Sequence, residues 1–184
     1  MKIRLNRLVV LACAMPAMSL AHAQEKLLVQ VPAVYDAQAM VGRKIREECA
    51  LENLLGNHVY ERVSQNFPGS LQIKDPGAAG SDKVLHLTIL SVRGVGGGAW
   101  SGPKSMTMRA DLVQNGKVLQ TTIKKRSSTG GAFGAYLGTC SILERDAQAL
   151  GVDVAQWLSR AALAGSEPVP QAAAEPDADE KKAD

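Results

Sequence analysis

Asn115-Gly116 separates SMTMRADLVQ, in which Met106, Met108, Ala110 and Leu112 alternate with polar residues, from KVLQTTIKK. Both central positions of a two-residue type I′ turn need positive φ, which asparagine and glycine tolerate, so this dipeptide between the two runs marks a β-hairpin. A third run, VLHLTILSV at 84–92, sets Leu85, Leu87 and Ile89 against His86, Thr88 and Leu90. Period-2 alternation describes strands with one face toward a core. Three antiparallel strands, spanning 84–94, 104–114 and 117–126 to within a residue or two, are expected to form a meander.

The helical signals flank that meander. Leu51, Leu54, Leu55, Val59, Val63 and Phe67 fall near i, i+3, i+4 spacing within 49–67, and Pro68-Gly69 stops the run. Toward the C-terminus, Leu143, Ala147, Leu150, Val154, Trp157 and Ala161 form a second stripe. Ser141 with Glu144 three residues on has the form of a capping box. Gly151 interrupts this helix at a cost of about 1 kcal/mol relative to Ala, which predicts a kink or a restart capped by Asp153. LLVQV at 27–31 reads as a strand ending near Pro32. LQIKD at 71–75 reads as a short strand before the turn-rich PGAAGSD. The expected fold is α+β: an antiparallel sheet of about four strands, including the meander, with two helices packed on one face to bury both stripes.

The N-terminus supplies an address. Lys2, Arg4 and Arg7 precede a short apolar stretch from Leu8 to Leu20, and Ala21-His22-Ala23 places small residues where signal peptidase needs them. Residues 1–23 therefore read as a cleavable signal peptide, cut after Ala23, with the periplasm as destination. A lipoprotein modified at Cys13 would have too short an apolar region before that cysteine. No later segment has the run of apolar residues that a transmembrane helix needs.

Residues 24–164 read as one domain. Residues 165–184 form an acidic, Pro- and Ala-rich tail without apolar periodicity, which predicts disorder. The whole chain has 21 basic and 18 acidic residues, a formal charge of +3. Removing the three signal-peptide cations brings it to zero, and the acidic tail leaves 24–164 only mildly basic. That bias is too weak to argue for nucleic acid.

Cys13 would leave with the signal, and Cys49 and Cys140 remain. Two cysteines in an exported chain are expected to pair. A disulfide here would close a loop of about 90 residues, worth about 4–5 kcal/mol in the chain-entropy model. The alternative is a free Cys140 thiol at a helix start, where a thiolate would be stabilised and could serve thiol or redox chemistry.

GGAFGAY at 130–136, Cys140, Leu143-Glu144-Arg145 and ALGVDVAQWL at 149–158, with REEC upstream at 46–49, resemble a group of small exported proteins of Gram-negative bacteria. The resemblance covers most of residues 45–158. It implies a periplasmic address and the Cys49–Cys140 pairing, and it brings no activity with it.

Catalytic motifs give little. GVGGGA at 94–99 fits G-x-G-x-x-A, but a strand follows where a dinucleotide site needs a helix N-terminus, so it reads as a hairpin loop. There is no P-loop, no G-x-S-x-G and no H-E-x-x-H. Beyond the signal the only histidines are His58 and His86, so a zinc site would need widely spaced carboxylates as well. No catalytic residue, metal site or cofactor is expected.

Two surfaces remain. Trp100, Phe133 and Tyr136 are three of seven aromatics, and all three lie in glycine-rich loops, where aromatics can anchor a partner. Lys124, Lys125 and Arg126, with Gly130 and Gly131 before a helix start, could instead hold a small anionic ligand. The expected function is a non-enzymatic periplasmic protein that binds an envelope partner through the aromatic loops. A small anionic-ligand module and a thiol protein using Cys140 are the alternatives.

Overall fold

The computed structural model describes residues 26–94, 103–128 and 138–163. In chain order these form β1 (Leu27–Gln30), β2 (Val34–Val41), α1 (Arg43–Glu48), α2 (Leu51–Asn66), β3 (Leu71–Ile73), β4 (Lys83–Arg93), β5 (Lys104–Gln114), β6 (Lys117–Ser128) and α3 (Thr139–Leu163). A 3-10 turn, Pro76–Ala79, precedes β4. The signal-peptide and acidic-tail segments lie outside the described residues.

The meander is present: β4, β5 and β6 pair antiparallel, with Leu87 opposite Ala110 and Ala110 opposite Thr122. Asn115 and Gly116 at its turn have φ of 51° and 73°, the positive values that the hairpin requires. The rest of the sheet departs from the antiparallel, four-stranded expectation. Six strands make one mixed sheet, ordered β3-β1-β4-β5-β6, with β2 also paired to β4. β1 pairs parallel with β3 and β4, and β2 pairs parallel with β4. The reason is connectivity: α2 carries the chain from the end of β2 back to the start of β3, and the segment with the 3-10 turn carries it from the end of β3 back to the start of β4, so both strands run in the direction of β1.

Two elements were invisible to periodicity. β2 is an edge segment of exposed and half-buried residues, and its ladder is interrupted between Tyr35 and Met40. In α1 only Ile45 is buried. One such residue draws no stripe.

β1 and β2 follow the same edge of β4, β1 along Lys83–Leu85 and β2 along Thr88–Val92. Between them Pro32 has no N–H to give to a ladder, and the neighbouring groups find other partners. Val31 N–H donates to Ile73 O at 2.9 Å and Ala33 N–H to Glu52 O at 3.0 Å. The Gln30 side chain, itself buried, accepts from Leu87 N–H at 3.3 Å. Gly56 lets α2 lie on this break: a Cβ there would stand 3.2 Å from both Ala33 N and Val31 Cγ1.

The helices cover one face of the sheet. Leu51, Leu55, Val59 and Val63 of α2 and Leu143, Ala147, Leu150 and Val154 of α3 are fully buried with Leu85, Leu87, Ile89, Met106, Met108 and Ala110 of the sheet. At about 25 cal/mol per Å² of apolar surface, each such large side chain contributes about 1.5–3 kcal/mol. Two local expectations for α3 are corrected. The helix starts at Thr139, with Ile142 N–H donating to Gly138 O, so Ser141 lies inside it rather than capping it. It also runs through Gly151 as one continuous helix, with no restart at Asp153.

Candidate functional site at the disulfide-bonded end

Sheet register brings four chain ends together. Arg93 at the end of β4 pairs with Ser105, and Lys104 at the start of β5 pairs with Ser128 at the end of β6. Val41 at the end of β2 lies beside Val92, and the chain turns from there into α1. Cys49, the C-cap of α1, is bonded to Cys140 in the first turn of α3, with a Cα–Cα distance of 5.0 Å. The disulfide thus ties the α1–α2 junction to the start of α3. With both sulfurs in that bond, neither cysteine is a free thiol in this structure.

Residues 95–102 leave from β4 and return to β5 at this end, and residues 129–137 leave from β6 and reach α3 here. Trp100, Gly130, Gly131, Phe133 and Tyr136 belong to these two segments and lie outside the described residues.

The basic run does not form one patch. Strand alternation puts Lys124 and Arg126, opposite Met108 and Met106, on the helix-bearing face and Lys125, opposite Thr107, on the other. Arg126 is engaged by α3: its Nε donates to Asp153 Oδ2 at 2.6 Å, and a second guanidinium nitrogen donates to Asp153 Oδ1. This forked arrangement is the strong form of a charge-assisted pair.

Sequence reading missed the buried polar groups beneath this end. Lys104 is fully buried, and its stem occupies the space in which a Cβ on Gly94 would meet Lys104 Cδ at 2.5 Å. Asp146 is 1% exposed; its Oδ1 accepts from the Ser128 hydroxyl at 2.5 Å, while Oδ2 is buried without a hydrogen-bond partner. Burial pushes the Asp146 carboxyl above the ordinary aspartate range, against the Ser128 bond and the Arg126 charge, which both favour its ionised form. The signals were there: Lys104 is in phase with Met106, Met108 and Ala110, and Asp146 sits beside Ala147 in the α3 stripe.

The opposite face of the sheet carries no helix from among the described residues. It presents a polar network in which Asp111 accepts from Arg109 Nε at 2.9 Å and from Thr121 Oγ1 at 2.7 Å. A groove of about 610 Å³ at the hairpin end has Val84, Val113 and Val118 among its lining, with Asp75, Asp82 and His86. Asp75 is occupied as a cap, accepting from Gly77 N–H at 2.9 Å. No group of His, Cys, Asp and Glu among the described residues is arranged to hold a metal ion. No helix among them is long and apolar enough to cross a membrane.

No protein-family model and no curated protein matches this chain. Solved structures similar to it include the PelC dodecamer from Paraburkholderia phytofirmans, at 13% identity over 70% of this chain and 87% of that one, with a TM-score of 0.43. A Xanthomonas campestris protein of family-model DUF330 is 10% identical over 78% and 90%, with a TM-score of 0.47. The rare lipoprotein B from Shewanella oneidensis is 12% identical over 76% and 98%, with a TM-score of 0.41. Likenesses at this level assign the chain neither a family nor a role.

Proposed function

We propose that this chain is an exported, non-enzymatic protein of the cell envelope that binds an envelope partner through the segments bearing Trp100, Phe133 and Tyr136. One observation carries the reading. The residues that bound both segments, Arg93 and Lys104 for one and Ser128 and Gly138 for the other, gather at the end of the sheet that the Cys49–Cys140 bond braces. Segments whose bounding residues are held close together by sheet register lose less freedom on binding than segments anchored far apart. Buried aromatic anchors are also the side chains that dominate interface energies.

The test is co-purification from envelope extracts, with the wild-type chain against a Trp100→Ala, Tyr136→Ala double variant. The expected result is loss of the co-purifying partner with an unchanged melting temperature. Retention of every partner by the double variant overturns the reading.

A further inference from the structure

Among the described residues, Lys104 and Asp146 are the buried ionisable side chains. Asp146 is poorly served by hydrogen bonds. A carboxylate offers about four lone-pair sites, and here Ser128 fills one while Oδ2 has no partner. An ionised carboxylate in such surroundings is costly, because water has been removed and only one neutral hydroxyl replaces it.

Among the charged groups on the elements packed against α3, Arg126 favours the ionised form, but burial outweighs it. On β6, Arg126 acts on Asp146 but forks onto Asp153, and Lys124 lies two residues further along the strand. On β5, Lys104 is buried beneath Gly94. On α2, His58 lies 3.7 Å from Glu61 and 3.8 Å from Glu144. On α1, Arg46 stacks at 4.0 Å over the Tyr35 ring. The partner that Asp146 does have is Ser128, the last residue of β6, so its bond joins the end of that strand to the second turn of α3.

We propose that Asp146 is a proton-operated latch: with the carboxyl neutral, the end of β6 packs on α3 beneath the disulfide, and ionisation loosens that junction by drawing water to Oδ2. The proton leaves to solvent, and water takes its place as the hydrogen-bond partner of Oδ2. Burial is the dominant influence on the carboxyl, and it raises the pKa. The folded chain therefore holds this proton at pH values where the unfolded chain, with an ordinary aspartate near about 3.9, has released it. The contribution to stability is full below the unfolded value and is lost as pH rises through the raised native value. The latch does not depend on the aromatic segments, so it stands or falls apart from the proposed partner.

The experiment reads the Asp146 side-chain carboxyl by carbon NMR in the intact chain, together with amide exchange at Ser127 and Ser128 across the same pH range. The expected titration midpoint lies above the ordinary aspartate value. Protection at Ser127 and Ser128, corrected for intrinsic rates, should fall several-fold through that midpoint. In Asp146→Asn, which keeps an oxygen to accept from Ser128, that pH dependence should vanish. A purely structural role would leave the pH profile unchanged. A midpoint at or below the ordinary value overturns the proposal, as does an unchanged exchange profile in Asp146→Asn. If that variant does not fold, the wild-type midpoint and exchange profile decide.

Discussion

Gly151 of α3 lies against the carbonyl of His58 in α2, so closely that a Cβ at position 151 would stand 2.7 Å from that oxygen and 3.0 Å from its carbon. The two helices start together at the disulfide and remain in contact to Asn66, whose Nδ2 donates to Ser159 Oγ at 3.3 Å. The glycine is therefore a contact point between backbones rather than a break in α3.

Two effects oppose each other in Gly151→Ala. Helix propensity favours alanine by about 1 kcal/mol, whereas forcing a methyl into close-packed backbone costs about 1–3 kcal/mol. The clash is with backbone, which cannot rotate away, so overpacking wins. Gly151→Ala should lower the urea midpoint at unchanged m-value. A raised midpoint would show that the helices can separate without cost.

Gly151 also shows where the sequence was readable and where it was not. Periodicity located α2, α3 and the meander because each presents a long apolar stripe to one core. It could not distinguish a glycine that breaks a helix from one that admits a neighbour, since that depends on which helix lies opposite. β2 escaped for a related reason: its pairing with β4 is made by backbone, and Val34 and Met40 are 42% and 67% exposed. Parallel pairing of β1 with β4 is a property of the path through α2, β3 and the 3-10 turn, and no local pattern carries it. At the candidate site the two cysteines could be paired from count and compartment. The sequence reading did not single out Lys104 and Asp146, because charged residues are almost never fully buried unless paired.

The Cys49–Cys140 bond should be structural. It joins two helix ends across most of the described chain, and removing a native disulfide from a small domain costs about 2–5 kcal/mol. A Cys49→Ala, Cys140→Ala double variant should lose stability in that range by denaturant unfolding and keep the far-ultraviolet signature of the sheet and helices. A variant as stable as wild type would mean that the core alone fixes the start of α3.

Gln30 carries a ladder bond that the break at Pro32 would otherwise leave open. Its Oε1 accepts from Leu87 N–H inside the sheet, and both residues are buried. Gln30→Leu keeps the bulk and removes the acceptor, leaving a buried N–H without a partner at a cost of about 1–3 kcal/mol. The Leu87 amide should then exchange faster by more than its neighbours Leu85 and Ile89. Equal acceleration at all three would indicate general loosening instead.

Tyr35 gives a pH prediction of its own. Its hydroxyl is buried, and burial, together with the charge and the side-chain hydrogen bonding of Glu52, pushes the phenol up to about 12 while Arg46 opposes the shift. The unfolded value is about 10. The folded chain thus keeps this proton while the unfolded chain loses it, so the contribution of Tyr35 is complete below the unfolded value and is lost as pH rises toward the native one. In an absorbance titration of the three tyrosines, a late phase should belong to Tyr35 and disappear in Tyr35→Phe. The stability of that variant should fall less steeply in alkali than that of wild type. If the late phase survives the substitution, another tyrosine carries it and the Tyr35 hydroxyl is in contact with water.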